Sequence, residues 1–421
     1  MTELLEGGPP QRQRRWPTVL VALTVAGVLG VGAVQKLSAG GSTSTARPSP
    51  TAAGAHPSYV RPSFGPPSLP VPTVPTEVVL PASPTLATTV HPRLVGVPLR
   101  DASGVSLVIG GSQLIGVGSR SVGFGTVPVR TGERVIAVRS LRAGLMVTVT
   151  TGDGQDQPYS RVYLVRKGAP ARLLASTDAA FPAFDGQSLF TIGYSGTGTS
   201  PNLVTRIDLS GRVLSRHKVP PESVLAGDTV KGLLVQRMGT AVNPLSTLQL
   251  LDRTTFAVTR TIGKIGWVVA NTGTRAAWTN STCDLTCTIV VADLASGRRT
   301  TLKAERGFGI SVAALSPDGK RVALAYSGRH PEQPGGGAAG FVDVVELATG
   351  ARHRVPGVAT DVKQAADLSW TPDGRWLAIA VDITDKGYRV VGLWPASGGA
   401  VQIVRSKVPG SGYTEGALLA L

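Results

Sequence analysis

The chain has 421 residues, among them 52 glycines, 31 prolines and only two cysteines, and its formal net charge is +16. Two cysteines exclude a disulfide-dense small protein and any zinc module built on three or four cysteines. With 42% hydrophobic residues, the chain can bury a large core.

The N-terminal segment predicts one membrane-spanning helix. Three arginines precede an uncharged run that Lys36 ends. Twenty residues at about 1.5 Å rise span about 30 Å, which is the thickness of a bilayer hydrocarbon core. The positive-inside rule then predicts a short cytoplasmic tail at residues 1–15, a signal anchor at residues 16–36 and an extracytoplasmic location for the rest.

Two further readings concern this helix. Ala22, Ala26 and Gly30 recur at every fourth position, a spacing that lets two membrane helices approach closely, although alanine and glycine are common in membrane helices generally. Cleavage at the small residues Val31-Gly32-Ala33 would instead release a secreted protein. Both readings place the bulk of the chain outside the cytoplasm.

Residues 37–93 predict a disordered linker. The segment is dominated by Pro, Ser, Thr, Ala and Val, contains twelve prolines and has no helical or strand period. Such a composition cannot bury enough apolar surface to fold and favours polyproline II. A semi-rigid spacer of this kind would hold an anchored domain away from a membrane or thread it into a wall layer. The plainer interpretation is a flexible tether with no recognition role.

Residues 94–421 contain an internal repeat. The segment LSPDGKRVALA at 315–325 aligns with WTPDGRWLAIA at 370–380. In each, a Pro-Asp-Gly turn precedes a basic residue and an apolar strand. Weaker glycine turns before apolar runs fall near positions 111, 144, 186, 228 and 273. The two clear turns consist of Pro317, Asp318 and Gly319, and of Pro372, Asp373 and Gly374.

A second mark follows the first in each unit. It is an apolar strand, an acidic residue and a glycine turn, as in Ile207-Asp208-Leu209-Ser210-Gly211. The two marks recur together, once in each unit. Units of this kind predict four short antiparallel strands each, which is a β-propeller blade. The fold class is therefore all-β, with seven four-stranded blades and a last strand near 416–421 that closes the ring against the first blade. Rings of six or eight blades remain alternatives, because the interval between the first two glycine turns is short.

The two Pro-Asp-Gly segments resemble the PD40 type of WD40-like repeat that occurs in TolB-like propellers. The whole chain resembles the membrane-anchored TolB-like or WD40-like propeller proteins of actinobacterial envelopes. The motif is clear in two of the seven units, and it is specific for architecture rather than for an activity. The resemblance implies a binding or scaffolding role without naming a ligand.

The two cysteines predict one local disulfide. Cys283 and Cys287 lie between two apolar runs, where a hairpin end is expected. An extended segment would hold them about 13 Å apart, too far for a bond, but a turn at Asp284-Leu285 brings them within range. Outside the cytoplasm the pair would oxidise.

A search for catalytic chemistry predicts no catalytic, cofactor-binding or metal-ligating residues. The five histidines have no metal-type spacing, and a nucleophile elbow, a Walker loop and a dinucleotide fingerprint are all missing. Asp153 and Asp156 suit a polar hairpin turn better than a calcium loop. The insert at 327–340 is a candidate contact loop at one face of the ring, and its plainer reading is a disordered hairpin tip.

The charge of the repeat region suggests the kind of partner. Residues 96–421 hold 35 basic and 23 acidic residues in no dense run, which disfavours nucleic acid but suits anionic lipid headgroups or wall polymers. We expect a non-enzymatic extracytoplasmic binding or scaffolding module of the cell envelope, with a protein or wall-polymer partner. The alternative is an envelope enzyme acting on glycan or peptide, with carboxylates converging at the channel mouth.

Overall fold

A computed structural model describes the repeat region and the few residues before it. The predicted cytoplasmic tail, membrane helix and linker up to residue 90 lie outside the described residues. Within the described part, no helix is long and apolar enough to cross a bilayer. The described ranges are 91–99, 105–110, 114–117, 126–151, 160–193, 202–239, 244–281, 288–329, 337–361, 366–383, 386–409 and 418–421.

The described chain forms thirty β-strands, of which twenty-eight are arranged as seven blades and two form a separate two-stranded sheet. The first four strands are β1 (Arg93–Leu94), β2 (Val97–Pro98), β3 (Leu107–Ile109) and β4 (Ile115–Val117). Blade 2 follows with β5 (Glu133–Leu141), β6 (Gly144–Thr151), β7 (Ser160–Val165) and β8 (Arg172–Thr177). Blade 3 contains β9 (Ala179–Pro182), β10 (Ser188–Gly193), β11 (Asn202–Asp208) and β12 (Val213–Val219).

Blades 4 to 6 repeat the same antiparallel order. Blade 4 contains β13 (Ser223–Thr229), β14 (Gly232–Arg237), β15 (Ser246–Leu251) and β16 (Val258–Ile265). Blade 5 contains β17 (Val268–Asn271), β18 (Arg275–Thr279), β19 (Thr288–Asp293) and β20 (Arg299–Lys303). Blade 6 contains β21 (Ile310–Leu315), β22 (Arg321–Tyr326), β23 (Val342–Glu346) and β24 (Arg352–Arg354), and β25 (Val358–Ala359) follows it.

Blade 7 and the last strand complete the ring. Blade 7 contains β26 (Asp367–Trp370), β27 (Trp376–Ile383), β28 (Tyr388–Pro395) and β29 (Gln402–Pro409). The last strand, β30 (Leu418–Ala420), pairs with β3, so that blade 1 is β30, β3 and β4. The first strands contact one another in the cyclic order β5, β9, β13, β17, β21, β26 and β30. The prediction of seven blades closed by the last strand is confirmed.

The hydrophobic core consists of separate clusters that lie between neighbouring blades. The buried apolar residues form seven clusters, one for each pair of neighbouring blades. Strand β27 shows why one blade contributes to two clusters: side chains on a strand alternate between its two faces. Leu377, Ile379 and Val381 pack against blade 6, whereas Ala378 and Ala380 pack against blade 1. Both faces are buried, so the strand is a continuous apolar run.

The first unit of the predicted repeat was assigned wrongly. The glycine mark near 111 follows β3, the second strand of blade 1, whereas the later marks link a first strand to a second strand. The first strand of blade 1 is β30, from the other end of the domain. The first interval is therefore short for a topological reason and does not indicate a missing blade.

The segment that enters the ring runs along the outside of blades 6 and 7. Strand β1 pairs with β25, and β2 adds to β29 in parallel as a fifth strand of blade 7. Leu94 is buried in the cluster between these two blades. At Gly96 any Cβ would lie 2.1 Å from the carbonyl oxygen of Val401, so only glycine allows this close approach.

Candidate functional site

The strand order defines two faces of the ring. On the turn face, the first strand of each blade connects to the second, and the third connects to the fourth. On the loop face, the second strand connects to the third, and each blade connects to the next. The two predicted Pro-Asp-Gly motifs lie on the turn face, because they link β21 to β22 and β26 to β27.

The turns of the turn face bind one another from blade to blade. A donor in one first-to-second-strand turn repeatedly reaches an acceptor at the corresponding turn of the next blade. The bonds are Arg142 N to Gly186 O (3.2 Å), Phe184 N to Asp228 Oδ2 (2.9 Å), Val230 N to Gly273 O (2.8 Å) and Arg275 Nη1 to Asp318 O (3.4 Å). The repeated turn therefore docks neighbouring blades.

The aspartates of the two Pro-Asp-Gly motifs, Asp318 and Asp373, are ionised and accept hydrogen bonds within their own turns. The hydroxyl of Thr371 and the backbone N–H of Arg375 donate to Asp373 and lower its pKa to about 2. Burial alone would raise the pKa of Asp318, but hydrogen bonds from Ser316 and Lys320 lower it below its ordinary value. Carboxylates held in this way are poor general acids at neutral pH.

A buried charge cluster lies at the loop-face end of blade 7. Arg389 on β28 donates from Nε and Nη2 to the two oxygens of Asp382 on β27, both at 2.8 Å. Its Nη1 donates to Asp367 Oδ2 on β26 at 2.9 Å. The side chains of Arg389 and Asp367 are 2% exposed and that of Asp382 is 9% exposed. One guanidinium thus ties together three strands of blade 7.

The charges of this cluster are balanced across blade 1. Burial alone would lower the pKa of Arg389, but Asp382 and Asp367 raise it above its ordinary value. Burial lowers the pKa of Arg139, on the innermost strand of blade 2, and the charge of Asp367 opposes that lowering. Arg139 and Arg389 therefore interact with the aspartates near β30, the strand that closes the ring. Their attraction stabilises the closed ring.

A second cluster on the loop face of blade 6 is aromatic. The ring of Phe341 lies 4.9 Å from that of Phe308 and 4.5 Å from that of Tyr326, centroid to centroid. Tyr326 is fully buried, and burial raises the pKa of its hydroxyl. Edge-to-face and tilted contacts of this kind stabilise aromatic groups beyond their burial alone. We call these three rings with Arg329 and Arg354 the blade 6 cluster.

Arginines cover the outer side of the blade 6 cluster. The guanidinium carbon of Arg354 lies 3.4 Å from the ring centroid of Phe341, and that of Arg329 lies 4.3 Å from the centroid of Phe308. Arg354 Nε also donates to the buried carboxylate of Asp343 at 2.5 Å. The Nε of Arg329 is buried and has no hydrogen-bond partner among the described residues. Cationic groups thus sit over aromatic faces at the edge of the loop face.

The predicted insert at 327–340 emerges from this cluster. Tyr326 precedes it and Phe341 follows it. Its base is tied down, since Arg329 N donates to Ala338 O at 2.8 Å and Gly328 N donates to Asp361 O at 2.6 Å. The tip at 330–336, with His330, lies outside the described residues.

Several predicted residues cannot be placed. Cys283 and Cys287, the helix-packing set Ala22, Ala26 and Gly30, and the Asp153 and Asp156 turn all lie outside the described residues. The pair of cysteines falls in the connection from β18 to β19, two strand ends that face the loop side of blade 5. The described histidines are separate, with His217 stacked on Phe256 at 4.3 Å and His353 exposed on β24. The described part of the chain contains no group of three metal-ligating side chains.

Sequence reasoning missed both clusters of the loop face. Asp382 interrupts the apolar run before a short connection, and Arg389 interrupts the apolar run after it. Charged residues in that arrangement can pair across a hairpin. Tyr326 and Phe341 bracket the insert, and two aromatic residues at the base of a long connection were an available signal as well.

Comparison with known proteins identifies the fold but no family. No protein-family model and no curated protein matches the chain. A proposed 6-phosphogluconolactonase from Bacteroides fragilis is 14% identical with a TM-score of 0.51, over 76% of this chain and 99% of the other. Prolyl oligopeptidase B from Galerina marginata is 10% identical with a TM-score of 0.46, over 75% and 53%. Hydrazine synthase from Kuenenia stuttgartiensis is 16% identical with a TM-score of 0.45, over 61% and 76%.

At these identities the likeness concerns architecture alone. Together with the seven blades and their cyclic contacts, it defines the chain as a seven-bladed β-propeller. The fold itself is compatible with binding and with catalysis.

Proposed function

We propose that the protein is a non-enzymatic binding or scaffolding protein of the cell envelope, which holds a protein partner at the loop face of blade 6. The observation that carries this proposal is the blade 6 cluster at the base of the insert. The three rings are buried, so a partner would contact the two arginines that lie over them. Arginine is among the residues enriched at the centres of protein interfaces. The partner would be acidic where it meets Arg329 and Arg354.

The buried charge cluster of blade 7 supports the same proposal. A general acid or base has to exchange a proton, whereas Asp367 and Asp382 accept three hydrogen bonds from one guanidinium. Their carboxylates are thereby committed to structure. The envelope location rests on the uncharged run at residues 16–35 with its flanking basic residues, and on the linker at 37–93.

The test compares partners captured from intact membranes by proximity labelling. Three full-length proteins are labelled: the unmodified chain, Arg329→Gln with residues 330–336 shortened, and Arg212→Gln. Arg212 is exposed on the turn face and serves as the matched control. We expect one partner to be lost at least about tenfold from the blade 6 variant and retained by the control. Equal labelling by all three proteins would contradict the proposal.

The second candidate function is an envelope hydrolase or lyase acting on glycan or peptide. Asp367 and Asp382 favour it, because both carboxylates lie at the loop-face end of the strands next to the axis. In this reading the substrate displaces Arg389 from one of them. Turnover of a glycan or peptide library by the full-length protein, abolished by Asp367→Asn, would establish the enzyme and refute the scaffold.

A further inference from the structure

The outer edge of the propeller has a one-sided charge. We define the outer rim as the fourth strands of blades 2 to 7, which are β8, β12, β16, β20, β24 and β29. The fourth strand is the outermost strand in blades 2 to 6, whereas in blade 7 β2 covers the first residues of β29. They contain eleven Lys and Arg residues and no Asp or Glu, so they carry nearly all of the +12 of residues 96–421. The residues are Arg172, Arg216, Lys218, Arg260, Lys264, Arg299, Lys303, Arg352, Arg354, Arg405 and Lys407.

Most of these charges are available to solvent. Every rim residue of this set whose side chain is described is exposed. Arg352 and Arg354 pair with Asp343, and Arg299 lies over the ring of Trp278. Eight have no ion-pair partner among the described residues: Arg172, Arg216, Lys218, Arg260, Lys264, Arg299, Lys303 and Arg405.

The acidic residues of the ring are engaged elsewhere. Asp208, Asp252 and Asp293 each follow or end a third strand on the turn face. Each accepts backbone N–H bonds of its own turn, which lower its pKa. For Asp208 the hydroxyl of Ser210 is the largest cause, and the pKa falls to about 2. These three carboxylates are therefore committed to their own turns and do not neutralise the fourth strands.

Protection of edge strands accounts for only part of this pattern. Charged side chains on an exposed edge, lysine especially, prevent pairing with another sheet. Seven of the eleven basic residues are arginines, however, and none of these strands contains an acidic residue. The exclusion of acidic residues from six separate strands points to a ligand of negative charge.

The spacing of the charges suits a phosphate polymer. On β12, β20 and β24 the two basic residues are separated by an even number of positions, so each pair projects from one face of its strand. Arg216 and Lys218 are thus about 6.6–6.8 Å apart along β12. Successive phosphates of an extended polyol-phosphate chain have a comparable repeat, and both arginine and lysine bind phosphate through charged hydrogen bonds.

We propose that the outer rim binds a flexible phosphodiester-linked polyol polymer, which follows the circumference from blade to blade. Arg260 and Arg299 border a shallow open depression between blades 4 and 5, with Trp278 and Asp293 in its wall, and the space it encloses is only about 20 Å³. Asp293 is paired there with Arg275. The polymer would therefore cross this gap over the surface, between the two arginines, rather than inside a groove.

Geometry and composition separate this ligand from two others. A flat membrane can touch the edges of only neighbouring blades, whereas the basic residues are distributed over six of the seven. Single-stranded nucleic acid binds on aromatic platforms interleaved with basic residues. The six rim strands contain no Phe, Tyr or Trp. The proposal is independent of the blade 6 cluster, and each can fail without the other.

The test measures binding of poly(glycerol phosphate) to the full-length protein. The rim variant replaces four exposed charges on blades 3 and 4, and the control removes four exposed charges from the turn face, so both variants have the same net charge. The rim variant is Arg216→Gln, Lys218→Gln, Arg260→Gln and Lys264→Gln. The control is Arg142→Gln, Lys231→Gln, Arg298→Gln and Lys320→Gln.

We expect the rim variant to bind about tenfold more weakly and the control to bind within about twofold of the unmodified protein. Raising the salt from about 50 to 200 mM should weaken binding to the unmodified protein by at least about tenfold. This salt titration tests the proposal even if a variant proves unstable. Equal weakening in both variants, or binding insensitive to salt, would overturn it.

Three counter-probes complete the experiment. Poly-dT, polyglutamate and phosphatidylglycerol vesicles are titrated under the same conditions. Tighter binding of any of these than of poly(glycerol phosphate) would assign the rim to nucleic acid, to carboxylate polymers or to membranes, and would refute the proposed ligand. Weaker binding of all three supports it.

Discussion

Asp382 and Arg389 lie directly opposite each other on the second and third strands of blade 7, joined by two parallel hydrogen bonds of 2.8 Å. The remaining nitrogen of the same guanidinium reaches Asp367 on the first strand. Fork-shaped pairing of this kind adds geometric specificity to the charge interaction. The loop-face end of blade 7 is therefore held in register by one side chain.

Removal of Arg389 should leave two carboxylates buried and unpaired. We expect Arg389→Leu to lower the free energy of unfolding by about 3–5 kcal/mol, as judged by urea titration. The triple variant Arg389→Met, Asp382→Leu, Asp367→Asn removes the charges together, and it should recover more than half of that loss. A triple variant no more stable than Arg389→Leu would show that the three groups do not act as one unit.

Closure of the ring depends on the inward residues of β30. Leu418 is buried against blade 7, whereas its neighbour Leu419 is half-buried against blade 2. We expect Leu418→Ala to lower the free energy of unfolding by about 2–4 kcal/mol and Leu419→Ala by about 1 kcal/mol. Thermal unfolding followed by circular dichroism measures both. Similar losses at the two positions would mean that β30 is not packed as described.

Two turn glycines offer a matched pair. Gly319 and Gly374 have φ of +64° and +67°, but an added Cβ meets the guanidinium of Arg275 only at Gly319. Gly374→Ala should destabilise the protein by about 1 kcal/mol and Gly319→Ala by slightly more, because the guanidinium of Arg275 is the far end of a flexible side chain and has to move aside. In an Arg275→Ala background, the cost of Gly319→Ala should fall to that of Gly374→Ala. Additive losses in that background would refute the contact.

The pKa of Asp373 makes a prediction for acid conditions. Because its pKa is about 2 against an ordinary 3.8, its contribution to stability is complete above the ordinary value and is lost as the pH falls towards 2. Thr371→Val removes the hydroxyl whose hydrogen bond contributes most to lowering the pKa of Asp373. It should raise that pKa towards 3.8, as followed by carboxyl-carbon NMR. Thr371→Ser keeps the hydroxyl and should leave the pKa low. A low pKa in the valine variant would refute the assigned cause.

The architecture was predictable because its signals are local. Pro317-Asp318-Gly319 and Pro372-Asp373-Gly374 form turns by their own backbone preferences, and the apolar runs after them are buried on both faces. The charge cluster of blade 7 was not predictable in full. Asp367 meets Arg389 only through the register of three strands, and Arg139 meets Asp367 only after blade 1 has closed between them. The first unit was misassigned for the same reason, since its innermost strand is distant in sequence.

The pairing of Leu107 with Ala420 sets the timing of folding. Blades 2 to 7 each consist of consecutive strands and can form in turn as the chain is synthesised, whereas blade 1 waits for almost the whole domain. Until residue 420 is available, the edge of β3 that β30 will cover stays unpaired, and such an edge invites pairing with other chains. The nascent protein therefore passes through a long interval in which that edge is open, and only pairing with the last strand ends it.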